Sequence, residues 1–282
     1  MNSQLIRSHF SALARYYDSY SQGRRDYLDH LDSVIVGWAE TRCPRVHLDV
    51  GCGTGRLLEM LRKRVPRCRS VGIDNADGMI NICHKRGLET ELRNFFDIAN
   101  DHAHLGGYDL ITLEFNVLGY LLAVAPIARI ICGLRKLLSP QGTVIMDVIS
   151  PWCCSYGRFS SVIPSLAKRL ALCLMARGDR IQVPYSVSIL GTKLPSVMAL
   201  CSVGRVVREC ETNDLDVELH AIPYPAPNRK ARLPVSISSS YLLFGTMTGS
   251  LASPPREGTR PRTSACDWNR QATRPVLSDE IA

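Results

Sequence analysis

Between Val46 and Ile149, short β-branched apolar runs alternate with segments whose apolar positions recur at helical spacing. Val46–Val50, Ser70–Asp74, Glu91–Phe96, Tyr108–Phe115 and Thr143–Ile149 read as strands, and Arg56–Arg64, Gly78–Lys85 and Ile127–Leu138 as helices. Alternation on this scale predicts an α/β fold built on a doubly wound parallel sheet. Leu138-Ser139-Pro140-Gln141-Gly142 supplies the helix stop before the fifth strand.

The pattern changes after Ile149. Phe159, Val162, Ile163, Leu166, Leu170 and Leu174 trace one helical face beside Arg158, Lys168, Arg169 and Arg177. This predicts an amphipathic basic helix, which reads either as a lid or membrane-surface contact or as an ordinary core-facing helix. Leu194–Ser202 is expected to form a short helix, Gly204–Cys210 a strand and Tyr241–Met247 the last strand. From Gly249 onward Ser, Pro, Arg, Thr and Gly dominate, so 249–282 is expected to be a disordered tail.

Composition narrows the class. With 282 residues, 45% of them hydrophobic, the chain can bury one large core. Its 34 Lys and Arg against 26 Asp and Glu give +8, spread along the length, which admits an acidic partner without requiring one. The 11 cysteines include no C-x-x-C pair, so reduced thiols are expected in a cytoplasmic chain, with no disulfide framework and no metal site. Met1–Tyr20 lacks the apolar core of a signal peptide, and Val117–Leu134 is broken by Pro126 and Arg129, so no transmembrane segment is expected.

The chemistry concentrates in His47-Leu48-Asp49-Val50-Gly51-Cys52-Gly53-Thr54-Gly55-Arg56, a strand running into a glycine-rich turn that opens a helix. Glycines let backbone approach a ligand, and a helix start offers unpaired N–H groups. A P-loop would need Lys then Ser or Thr after Gly55, and a dinucleotide fingerprint would need glycine at Arg56. Asp74, about twenty residues on at the end of the next strand, is suited to ribose hydroxyls. Asp49 would repel a pyrophosphate and attract a cationic ligand.

Taken in order, these pieces resemble the class I S-adenosylmethionine-dependent methyltransferases of small-molecule type, from Phe10 to Met247. The resemblance implies a Rossmann-like, seven-stranded, mostly parallel sheet with an antiparallel last strand. It also implies one domain over 1–248, with a helical cap (1–40) and a helical lid insertion (150–193). S-adenosylmethionine is the implied cofactor. Asp49, Gly51, Cys52, Gly53 and Gly55 would wrap its methionine part, Asp74 with Asn75 its ribose, and Met79 its adenine. Phe96-Asp97-Ile98 resembles the segment whose acid receives the adenine amino group, although Phe96 stands where the family has a small residue. Glu114 begins the loop that closes around the methyl group, and Tyr17, before Asp18, would close over the cofactor.

The implied activity is methyl transfer to an O, N or C atom of a small apolar or acidic acceptor, such as a natural product, a quinone precursor or a carrier-bound acyl chain. Nucleic acid is not the expected partner. Glu114-Phe115-Asn116-Val117 lacks the two prolines of the adenine enzymes, and Pro151-Trp152-Cys153-Cys154 follows the fifth strand rather than the fourth. His220, Tyr156 and Glu114 are conceivable bases, but none lies in a distinguishing pattern, so no catalytic residue is assigned. The rival readings are a non-catalytic S-adenosylmethionine-binding relative and a dinucleotide-dependent oxidoreductase.

Overall fold

The computed structural model describes residues 1–149, 180–223 and 239–248, all within the unit Met1–Gly249. Its sheet has seven strands: β1 (Val46–Val50), β2 (Arg69–Asp74), β3 (Thr90–Leu92), β4 (Tyr108–Leu113), β5 (Leu138–Ile149), β8 (Leu215–Pro223) and β9 (Ser239–Met247). They run in the order β3-β2-β1-β4-β5-β9-β8. The first five pair in parallel, and β9 lies antiparallel between β5 and β8. This is the expected mostly parallel sheet with Tyr241–Met247 as its reversed strand.

Both faces are buried, as a sheet built from apolar runs requires. On β4 and β5, Ile111, Leu113, Val144 and Met146 face one core, while Leu110 and Ile145 face the other. The first core receives α8 (Ile127–Leu137), whose Ile127, Ile130, Ile131 and Leu134 follow the helical repeat. The second receives α3 (Arg25–Arg42) and α4 (Arg56–Arg64) through Leu31, Ile35, Leu57 and Leu61. Ahead of α3, α1 (Asn2–Leu13) and the short α2 (Tyr17–Ser21) complete the helical N-terminal segment. The other helices of the first half are α5 (Asp77–Lys85), α6 (Phe95–Ile98) and α7 (Val117–Val124).

Four expectations are corrected. Glu91–Phe96 is not one strand: β3 stops at Leu92, and Asn94 caps α6 by accepting from the Phe96 amide at 2.9 Å. Leu194–Ser202 is not a helix but most of β7 (Thr192–Leu200), which pairs with β6 (Ile181–Ile189) through a tight turn with positive φ at Leu190 and Gly191. Both strands of this two-stranded sheet are edges, so each tolerates a proline, Pro184 and Pro195. Gly204–Cys210 is not a strand but α9 (Val203–Thr212), capped by Ser202 and burying Val206 and Cys210 one turn apart; the missing strand is β8. The described end of the supposed helical lid, Ile181 onward, is therefore β6. The amphipathic stretch Phe159–Leu174 and the tail 249–282 lie outside the described residues.

Candidate functional site

The carboxyl ends of β1, β2 and β4 open into a cleft covered by the N-terminal segment, with Ile6, Phe10 and Tyr17 in its wall. Ligands bind at this end of open α/β sheets. The turn after β1 takes a left-handed conformation three times, at Gly51, Gly53 and Gly55. The glycines are needed for different reasons. A Cβ at Gly51 would sit 2.7 Å from Val117 Cγ2, and one at Gly55 would drive into Leu88, so packing demands both. In front of Gly53 the nearest atom is Tyr17 Cε1, 3.6 Å away. Gly53 thus presents bare backbone to open space in the cleft.

Asp74 ends β2 beside this space. Its Oδ2 accepts from the Gly53 amide at 3.1 Å and its Oδ1 from the Ala76 amide at 2.8 Å. Burial pushes its carboxyl up to about 6, against the pull of the Ala76, Gly53 and Asn75 amides. Asn75 and the buried Met79 continue the same wall. Opposite, Asn94, Phe95 and Phe96 line the cleft, and Arg129 stacks over Phe96 at 4.7 Å.

A second, smaller cavity adjoins the turn, and Asp49, Cys52, Arg56 and Glu114 reach it. Asp49 is buried and accepts from Thr112 Oγ1 at 2.8 Å; burial and the nearby Glu114 hold its carboxyl well above the usual range. Glu114 lines both spaces. Arg56 donates to its Oε2 at 3.0 Å, while Oε1 is buried without a hydrogen-bond partner. Burial pushes Glu114 up to about 7, against the pull of Arg56 and with Asp147 adding to the rise. Arg56 also pairs with the buried Asp32 of α3, so one guanidinium joins the N-terminal helices to the end of β4.

Two further devices hold the walls. Asp18 accepts from Thr54 Oγ1 at 2.7 Å and from Arg86 Nη2 at 2.5 Å, while Arg86 Nη1 donates to the Thr54 carbonyl at 2.8 Å. This ties α2, and with it Tyr17, to the glycine turn. After β4 the chain passes through positive φ at Phe115 and Asn116. Asp147 of β5 accepts from the Asn116 amide at 2.9 and 3.0 Å and from the Tyr27 hydroxyl at 3.0 Å.

The structure thus brings Tyr17, Asp49, Gly51, Cys52, Gly53, Asp74, Asn75, Met79, Phe96 and Glu114 around the two cavities. Three expected cofactor residues lie elsewhere. Gly55 packs against Leu88 and Cys83, Ile98 is core, and Asp97 is exposed on α6 away from the cleft, with Asn94 on the wall where the acid was expected. His220 sits on the outermost strand against Glu218 and Phe244, and does not line the cleft. Tyr156 and Pro151–Cys154 lie outside the described residues. The roles of Asp18, Asp32, Arg56, Asn94 and Asp147 escaped sequence reasoning. Only the Tyr17-Asp18 pair carried a local signal. Among the described residues no single helix is long and apolar enough to cross a membrane, since α7 and α8 are bent by 119° across Pro126.

Comparison with known proteins agrees with this geometry. Residues 48–144 match a family model described as a methyltransferase domain. The malonyl-[acyl-carrier protein] O-methyltransferase of Acetivibrio thermocellus is 32% identical over 112 residues, 39% of this chain and 38% of that protein. The demethylmenaquinone methyltransferase of Thermus thermophilus is 28% identical over 120 residues, 41% of this chain and 52% of that protein. These alignments span less than two thirds of the relatives' lengths. The crystal structure of an S-adenosylmethionine-dependent methyltransferase from Clostridium acetobutylicum superposes with a TM-score of 0.56 at 14% identity, covering 83% of this chain and 99% of that one, which is a likeness of fold. Residues 48–144 thus match a methyltransferase domain, and the strand order, with its glycine turn followed by an acid on the next strand, is similar to the fold of the S-adenosylmethionine-dependent methyltransferase from Clostridium acetobutylicum.

Proposed function

We propose that the chain transfers the methyl group of S-adenosylmethionine to a small apolar or acidic acceptor in the cytoplasm. The observation that carries this reading is the open space before Gly53, flanked by Asp74 on one side and by Asp49 and Glu114 on the other. A nucleoside whose ribose meets Asp74 and whose far end is cationic fits those charges. A pyrophosphate beside two carboxylates does not. Asp74 would accept the ribose hydroxyls, Met79 and Phe96 would sandwich the base, and Gly53 would let the sulfonium side lie against backbone.

The sulfonium supplies an activated methyl group, so the chain's own task is to hold the acceptor in line, about 3–3.5 Å from it, in a dry site. Tyr17 and Phe115, at 6.4 Å between ring centroids, form an aromatic wall beside that position. Arg24 stacks over Phe115 at 5.8 Å, and a cation there favours an acidic acceptor. Carrier-bound carboxylic acyl groups are therefore the acceptors to assay first, in keeping with the names of the relatives.

The test has two steps. S-adenosylhomocysteine should raise the Tm and NAD should not; the reverse result would reinstate the oxidoreductase. Labelled methyl transfer should then appear with a carboxylic, carrier-bound or phenolic acceptor. Cofactor binding without transfer across that panel would favour a non-catalytic binding protein.

A further inference from the structure

Two cysteines meet beneath the glycine turn. Cys52 belongs to the turn and Cys83 to the last part of α5. Cys83 Sγ donates to the Gly53 carbonyl at 3.2 Å, and Cys52 Sγ lies 3.9 Å from the same oxygen. Both sulfurs thus sit at one carbonyl oxygen, and the interaction between the two thiols holds Cys83 below the ordinary thiol range and Cys52 well above it. Both pack in one small cluster with Leu58, Ile80 and Leu88. Gly72 on β2 makes this possible, because a Cβ there would lie 2.8 Å from Cys52 Sγ. Of the pair, Cys52 reaches the cavity beside the turn, whereas Cys83 is sealed. A buried thiol pair with one member at the cavity can be oxidised, a chemistry that a purely apolar cluster lacks.

We propose that Cys52 and Cys83 form an oxidative modification site, in which hydrogen peroxide entering through the cavity beside the turn converts the two thiols into a disulfide. Cys52, the thiol that reaches the cavity, gives up its proton and attacks a peroxide oxygen: an S–O bond forms, the O–O bond breaks, and the departing hydroxide takes up that proton and leaves as water. The other thiol attacks that sulfur, so the S–S bond forms, the S–O bond breaks and a second water leaves. Two thiols lose two electrons in all, and the peroxide is reduced to two waters.

The consequence follows from position. The disulfide takes Cys83 Sγ away from the Gly53 carbonyl and ties the turn to α5, which shifts the backbone whose amide reaches Asp74. Cofactor affinity then falls. Bound cofactor slows the oxidation, because it fills the cavity that Cys52 reaches. This effect on affinity rests on the proposed function; formation of the disulfide does not.

The experiment treats the full chain with hydrogen peroxide, maps its disulfides by mass spectrometry after alkylation, and measures S-adenosylhomocysteine affinity by calorimetry. A peptide linking Cys52 to Cys83 is expected, with an affinity loss of at least tenfold that dithiothreitol reverses. Cys83→Ala and Cys83→Ser, each judged against its own untreated affinity, should show no peroxide-dependent loss. S-adenosylhomocysteine present during treatment should slow the linkage several-fold. Unlinked Cys52 and Cys83 after treatment would overturn the proposal, as would linkage without loss of affinity or an equal loss in both variants. If the untreated chain binds no S-adenosylhomocysteine, the cofactor reading itself has failed, and the disulfide map still decides whether the two thiols join.

Discussion

Two strand-to-helix turns lie side by side at the carboxyl end of the sheet, one between β1 and α4 and the other between β4 and α7. Both pass through left-handed backbone, but the first does so at Gly51, Gly53 and Gly55 and the second at Phe115 and Asn116. Glycine adopts this conformation without steric cost, whereas a side-chain-bearing residue does so at a cost. The first turn therefore carries no such cost, and at Gly53 it presents backbone to the cleft. The second keeps its side chains, Glu114 and Phe115 on the cleft wall, and is held by Asp147 and Tyr27 from outside. One turn is shaped for a ligand to approach backbone; the other is shaped to present side chains to it.

That contrast can be broken at its strongest point with Gly53→Val. The new side chain enters the space before the turn at a backbone position with φ of +54°. We expect S-adenosylhomocysteine affinity to fall at least a hundredfold by calorimetry, with a strain cost to stability of about 1–3 kcal/mol. Normal binding by this variant would make the turn a structural corner only.

Next in size is Asp147→Ala, which removes the outside support of the second turn. The buried Asn116 amide loses its acceptor, at a cost of about 1–3 kcal/mol for the group left unpaired, and Tyr27 loses one hydrogen bond besides. Denaturant unfolding should report that loss. Tyr27→Phe should cost less, because the Asn116 amide keeps its partner. A neutral Asp147→Ala would mean that the Phe115–Asn116 corner needs no support.

A smaller effect separates the turns by pH. Asp74 carries a folded pKa of about 6, raised by burial above its unfolded value. Its contribution to the stability of the ligand-free chain is therefore complete below the unfolded pKa and is lost as pH rises through about 6. Ligand affinity should run the other way. If the carboxylate accepts the ribose, affinity falls as pH drops through 6, approaching tenfold per unit. Asp74→Asn should flatten this part of the profile, and an unchanged slope in that variant would assign it to another group. The smallest effect belongs to Asn116→Gly. Relief of the positive φ and loss of the Asn116–Met198 contact should nearly cancel, leaving stability within about 1 kcal/mol of wild type in denaturant unfolding.

The same contrast explains what could be read from the sequence. The first turn was legible because its signals are local: glycines at fixed offsets, an acid before them and an acid ending the next strand. The five parallel strands were legible because burial on both faces leaves continuous apolar runs. The support of the second turn was not legible. Tyr27, Asn116 and Asp147 meet only after the sheet has formed, as do Asp32, Arg56 and Glu114, and no spacing in the chain encodes such meetings. In β7 and α9 local preference misled. Val203, Val206 and Val207 favour a strand on propensity, yet the Ser202 cap and the one-turn spacing of Val206 and Cys210 on the core side decide for helix. The interruption of β7 by Pro195 hid a strand that survives because its sheet has only edges.

The most direct test of the central claim, that the cleft lined by Gly53 and Asp74 holds the nucleoside of S-adenosylmethionine, is calorimetric titration of S-adenosylhomocysteine into wild type and Asp74→Ala at pH 7.5. Removing charge-assisted hydrogen bonds to two ribose hydroxyls should cost about 1.5–3 kcal/mol, which is roughly a tenfold to hundredfold loss of affinity, in a variant whose far-UV spectrum matches wild type. Equal affinity in the two proteins would contradict the account, because the acid that ends β2 would then have no part in holding the cofactor.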